Sequence, residues 1–297
     1  MKKLGLATAL LLAMTGAQAY QFEVQGQSEF YDNTANNGGN FTGGVQGTYY
    51  LKNVDSSKGP LAEAAFLNQA SNVSAAYNYA KYNEKNGRDI ESHNYGVKGE
   101  AYFNTKYVPV PVYASASYNH TNNDSRNNVT RDDNGDRYAL EVGGVLAPNF
   151  LLAVGYTNVA DQFSLDTFGI MKNGFIASGI ESSNAIQDKN DAVTARAKYV
   201  GPITGTNMAV GFEAAGTFGE ENVYGLKSDL YLNPKLSVGA TFLGSDGGVG
   251  RVDQAWGANV NYFITPAVAV GVNYLHANTT GSSYDTDTFG LNAKYRF

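Results

Sequence analysis

The chain ends Phe289-Gly-Leu-Asn-Ala-Lys-Tyr-Arg-Phe297. Phe289, Leu291, Ala293, Tyr295 and Phe297 fall on one side of an extended chain, and Gly290, Asn292, Lys294 and Arg296 on the other. Period two with unlike faces is a β-strand. The last residues of a soluble domain usually fray. Here the apolar face runs to the final residue, so something apolar must cover it there.

The same alternation recurs along the chain. Fourteen segments show it, near 21–31, 41–52, 72–83, 93–105, 110–120, 137–146, 150–158, 191–200, 207–219, 222–232, 236–244, 254–264, 267–277 and 286–297. Short connections carry proline, as in Ala147-Pro148, Gly201-Pro202, Asn233-Pro234 and Thr265-Pro266. Long ones are polar and span 32–40, 84–92, 121–136, 159–190, 245–253 and 278–284, with a short exception near 220–222. Strands of about ten residues joined by turns of alternating length are the signature of a transmembrane antiparallel β-barrel. Closure would pair the last strand with the first and leave no open edge, and lipid would cover the apolar face. An even strand number puts both termini and the short turns on the periplasmic side and the long loops outside.

The N-terminus agrees with export. Lys2 and Lys3 form a basic region, Leu4 to Met14 an apolar one, and Ala17-Gln-Ala19 a small-residue cleavage site. This pattern predicts a cleaved signal peptide over 1–19 and a single barrel domain over 20–297. After Ala19 no stretch reaches the roughly 18 apolar residues of a membrane helix. Mean hydropathy is negative, as a barrel permits, because half of each strand faces a polar lumen. The 21 Tyr, 15 Phe and 34 Gly suit strands and interfacial girdles. There is no cysteine and the net charge is −6, which exclude thiolate chemistry and argue against nucleic acid as a partner.

Alternation assigns charged residues to the inner face: Glu23, Glu29, Glu100, Glu141, Glu213 and Asp229 among acids, and Lys52, Lys98, Arg137, Arg196, Lys198, Lys227, Lys294 and Arg296 among bases. A ring of one sign would select ions, whereas mixed signs can pair across the wall and narrow the passage. Loop 159–190 carries Phe163, Phe168, Met171 and Phe175, more apolar character than a solvated loop needs. An inward fold that constricts the barrel and an outer loop packed on itself both account for that composition.

Three stretches, Ala19-Tyr-Gln-Phe-Glu-Val-Gln-Gly26, Gly47-Thr-Tyr-Tyr-Leu-Lys-Asn-Val54 and Gly59-Pro-Leu-Ala-Glu-Ala-Ala-Phe-Leu67, resemble the putative-porin family of gammaproteobacteria. The resemblance covers the whole chain. It implies passive uptake of water and small solutes across the outer membrane, with no cofactor and no catalytic motif to transfer.

Other chemistry is faint. Asp132-Asp-Asn-Gly-Asp136 begins like a calcium loop, but the sixth and twelfth positions are Arg137 and Gly143. His93, His120 and His276 are scattered, and their spacing to Ser117, Ser282 or Ser283 forms no catalytic unit, so no enzyme is expected. The partners expected are outer-membrane lipid and lipopolysaccharide, the latter through Arg88, Arg126, Arg131, Lys172 and Arg251. Phe297 resembles the terminal signal read by the outer-membrane assembly machinery. A barrel whose loops bind host surface ligands, with little conductance, is the alternative function.

Overall fold

A computed structural model describes residues 19–33, 36–83, 89–125, 133–158, 191–219, 222–246, 252–279 and 285–297. The expected leader up to residue 18 and the loop 159–190 lie outside the described residues. Fourteen antiparallel strands close into one barrel in sequence order. They are β1 (Ala19–Asn33), β2 (Asn36–Asp55), β3 (Asn72–Asn83), β4 (Asp89–Phe103), β5 (Val112–Ser125), β6 (Asp133–Ala147) and β7 (Phe150–Thr157). The circuit continues with β8 (Ala192–Pro202), β9 (Ala209–Phe218), β10 (Val223–Asn233), β11 (Leu236–Ser245), β12 (Val252–Thr265), β13 (Val268–Thr279) and β14 (Asp285–Arg296).

The seam answers the question set by the last strand. β14 pairs with β1 from Glu23↔Arg296 to Asn33↔Thr286. Phe297 extends the pairing: its N–H donates to the Phe22 carbonyl at 2.9 Å, and its own carbonyl accepts from the Phe22 N–H at 2.8 Å. The Phe297 ring stacks on Phe22 with centroids 5.2 Å apart. No strand edge is left to solvent or lipid at the join.

The outer wall is apolar. Val24, Val97, Leu140, Val154, Leu226 and Leu291 are all more than two-fifths exposed, an arrangement stable only against lipid. Aromatics gather toward the strand ends, with Phe22, Tyr49 and Phe297 at the end bearing the termini and Tyr95, Tyr138, Trp256 and Phe289 toward the other.

One expectation about connections changes. The stretch 32–40 is not a long loop, because β1 runs to Asn33 and β2 starts at Asn36. Backbone pairing needs no apolar side chain, so the ladder continues beyond the apolar band into polar, glycine-rich sequence. At the opposite end, the connection between β2 and β3 is a folded segment, described next.

Candidate functional site: the lumen and its periplasmic mouth

Residues 56–71 turn into the barrel at the mouth that carries the short turns. Gly59 adopts φ 151°, a conformation that favours glycine, and a Cβ there would meet the Leu67 side chain at 2.9 Å. Pro60 then leads into a 3-10 turn, Leu61–Glu63, and one helical turn, α1 (Ala64–Leu67). The free N–H at the start of this element donates across the mouth: Leu61 N–H reaches the Pro234 carbonyl in the β10–β11 turn at 2.8 Å. Asn68 closes the other end, donating from Nδ2 to the Asp55 and Ala64 carbonyls, each at 2.7 Å.

Apolar contacts hold the segment in place on three sides. Phe66 packs with Tyr113, Val145, Leu151, Val200 and Tyr231. Ala64 and Ala70 pack with Tyr20, Tyr50 and Val54. Leu61 packs with Phe263 and Ala269. All these wall residues are buried on the inner face. The inner wall is therefore apolar near the periplasmic mouth and polar further in.

Charge pairs complete the attachment. Lys198 Nζ lies 2.7 Å from Glu63 Oε2 and 3.9 Å from Glu213. The Tyr231 hydroxyl donates to Glu63 Oε1 at 2.8 Å. Burial alone would raise the Glu63 carboxyl, but the Lys198 ammonium beside it, with Lys227 and the Tyr231 hydroxyl behind, outweighs that and holds it below the usual carboxylate range. Arg296, 2 % exposed, grips both the wall and the segment. Its Nε donates to Glu23 at 2.7 Å and its Nη1 to the Leu61 carbonyl at 2.8 Å. Its guanidinium lies over the rings of Tyr20 and Phe263.

A second cluster sits beside the first. Arg196 donates bidentately to Glu141 at 2.9 and 2.7 Å, and lies 3.5 Å from Glu213. It reaches Glu141 across β7, where Ala153 and Gly155 are small enough to allow the approach. Arg196 Nη2 also donates to the Tyr113 hydroxyl at 2.8 Å, and that hydroxyl donates to Glu100 at 2.8 Å. Glu100 in turn pairs with Lys98 at 2.9 Å. Lys294 is 3.0 Å from Glu23, and Lys227 is 3.3 Å from Asp229. Glu29 is fully buried and accepts from Gln27 at 2.5 Å and Asn273 at 3.3 Å. Arg137 is buried in register with Asn119. Lys52 is the exception among the inner-face candidates. It falls where β2 bulges against β1, between Tyr49 and Val54, and is exposed at the rim rather than turned inward.

Phe163, Phe168, Met171 and Phe175 lie outside the described residues, as do Arg88, Arg126, Arg131, Lys172 and Arg251. Reading strands alone missed Glu63, Tyr113 and Tyr231. The available signal was a run of large apolar residues on the polar parity near the periplasmic turns, among them Tyr113, Leu151, Val200 and Phe263, together with an unassigned connection holding Leu61 and Phe66.

The histidines face outward at the opposite rim. His120 Nδ1 lies 2.7 Å from Asp136, which also accepts from the Tyr118 hydroxyl. His276 Nδ1 lies 2.9 Å from Asp287, joined by the Tyr274 hydroxyl. His93 meets the Tyr77 hydroxyl at 2.8 Å. Strand alternation puts Ser117 on the face opposite His120. Among the described residues no cluster of three or more His, Cys, Asp and Glu could hold a metal ion. Asp132 lies outside the described residues.

A closed fourteen-strand barrel with an apolar outer belt and a charged, hydrogen-bonded interior is an outer-membrane channel by architecture. The chain belongs to the family described as "Putative general bacterial porin", whose model matches residues 1–297. It is 53% identical to the outer membrane protein Omp33 of Acinetobacter baumannii, over 95% of this chain and 100% of that one, with a TM-score of 0.69. The fold alone is shared with a FadL homologue of Pseudomonas aeruginosa, at 9% identity over 93% of this chain and 90% of that one, with a TM-score of 0.51. It is also shared with a TodX monoaromatic hydrocarbon channel variant, at 9% identity over 95% and 91%, with a TM-score of 0.56. A search of curated proteins finds no match. The protein is a porin of the Gram-negative outer membrane.

Proposed function

We propose that this porin gives narrow passive passage to water and small solutes, and that residues 56–71 set the limit at the periplasmic mouth. The observation that carries this is the segment's attachment on several sides: Glu63 to Lys198 and Tyr231, Leu61 to Pro234 and Arg296, and Phe66 into the wall. A flexible turn would have needed none of these. Reconstitution in planar bilayers and proteoliposomes tests the reading. Discrete conductance with a small solute cutoff supports it. A silent barrel that excludes every solute would favour the surface-interaction role instead.

The mouth has a predicted pH response. A carboxyl held below its ordinary value stabilises its arrangement above that value, and the contribution is lost as pH falls through the lowered one. Conductance is therefore expected to stay flat from neutral to mildly acidic pH and to rise only below about pH 4, beneath the ordinary carboxylate range. A rise already near pH ~6, where carboxylates stay ionised, would show that the Glu63 pairing is not what holds the mouth.

Assembly has its own expectation. Phe297 supports recognition by the outer-membrane assembly machinery, and it also closes the seam on Phe22. Deleting Phe297 is expected to lower the yield of folded barrel in cells more than the yield of refolding in detergent. Equal losses in both would assign the residue to seam stability alone. Lipid and lipopolysaccharide cover the outer wall in this reading.

A further inference from the structure

The inner wall of β11 to β14 is built from asparagines facing glycines. Asn259 is in register with Gly239, Asn261 and Asn292 flank Gly271, and Asn273 is in register with Gly290. The carboxamides lie across those glycines. A Cβ on Gly290 would meet Asn273 Nδ2 at 2.6 Å, and one on Gly271 would meet Asn292 Nδ2 at 2.7 Å. Glycine on one strand thus lets the amide of the next lie flat against the wall.

All four asparagines line one cavity of about 210 Å³ above the inward segment, with Gln25 and Gln27 beside them. That is room for on the order of ten waters, enough for a three- or four-carbon solute. The charges around the cavity balance. Lys198, Lys227 and Lys294 stand against Glu63, Glu213 and Asp229. Lys198 is paired with Glu63, Lys227 with Asp229, and Lys294 with Glu23. The lining therefore offers hydrogen bonds and little net field.

That combination sorts solutes by charge state. An ion entering the cavity sheds part of its hydration and finds no unopposed counter-charge among these lining pairs, so it bears a desolvation cost. A hydroxyl group both donates and accepts, and a carboxamide supplies two donors and an acceptor. An uncharged polyol can therefore exchange water for wall amides at nearly constant hydrogen bonding. We infer that this asparagine–glycine wall is a selectivity site for small uncharged polyols. The inference rests on the porin reading and names the solute class that the passage favours.

Proteoliposome swelling tests it with a matched pair, glycerol against potassium glycerate with valinomycin present to carry the potassium. Glycerol is expected to enter at least about tenfold faster, because an added barrier of only about 1.4 kcal/mol for the ion is already tenfold in rate. Equal or faster glycerate entry would overturn the inference and leave the porin reading standing. Entry of neither solute would overturn both. Asn259→Leu with Asn292→Leu is expected to slow glycerol several-fold, with folding checked by heat-modifiable gel migration. An unchanged glycerol rate in that folded double variant would remove the role from these amides. Asn259→Asp with Asn292→Asp nearly keeps the shape and adds unpaired charge. It is expected to keep glycerol entry and to move the reversal potential in a KCl gradient toward cation preference. An unmoved reversal potential would show that these positions do not face the permeation path.

Discussion

Glu63→Lys is expected to raise single-channel conductance several-fold and to enlarge the solute cutoff in swelling assays. The substitution replaces the carboxylate 2.7 Å from Lys198 with a second ammonium, and it also removes the acceptor of the Tyr231 hydroxyl. Lys227 lies close enough to add to the repulsion. Like charges this close in a partly buried site cannot both stay ionised and paired with nothing. The least costly response is withdrawal of residues 56–71 toward the periplasm, because this connection can move without breaking the barrel's backbone ladder, whereas Lys198 sits on β8 within that ladder. Glu63→Gln keeps the shape and a hydrogen bond to Tyr231, so a smaller increase is expected. Conductance equal to that of the native porin in the folded Glu63→Lys variant would mean that the segment does not limit passage.

Arg196→Met is expected to give the largest loss of barrel stability of any single lumen substitution. Arg196 is the shared donor to Glu141 and the Tyr113 hydroxyl, and it lies within ion-pair distance of Glu213. Methionine fills similar space but leaves those carboxylates facing each other in a site only 15 % exposed. Breaking a buried ion pair from one side costs about 3–5 kcal/mol, most of it the uncompensated charge that remains. The readout is the urea midpoint of the folded-to-unfolded gel shift in lipid vesicles. Adding Glu141→Gln to the variant should restore part of the loss, because it removes one of the stranded charges. A midpoint equal to the native one would show that water in the lumen screens the cluster.

The barrel itself was legible because its cause is local. Each strand must present apolar side chains to lipid and polar ones inward, so the period of two is written into every segment, from Phe22 and Val24 to Leu291 and Tyr295. The inward segment was not legible in the same way. Its residues, Leu61 to Leu67, show neither strand alternation nor a helix long enough to read, and their partners lie far away in sequence. Glu63 meets Tyr231 across 168 positions, and Arg296 meets Leu61 across 235. Nor does the inner-face charge list tell which charges pair. Arg196 reaches past β7 to Glu141 on β6, as well as to Glu213 on adjacent β9, because β7 carries only the small Ala153 and Gly155 there. Lys52, inward by simple counting, left the pattern because a bulge changes the count.

What the sequence determined by itself was the class of wall: fourteen amphipathic strands, closed at Phe297, with lipid outside and mixed charge inside. Lipid and backbone geometry impose that pattern on each strand separately, so it can be read strand by strand. What only the tertiary structure decided is how the wall is used at its mouth and in its lumen. Closure brings β2, β8, β10 and β14 around one opening, packs the connection 56–71 against their inner face, and sets asparagines against glycines across the strands. Those contacts arise from the register and curvature of the closed barrel, which no stretch of chain contains alone.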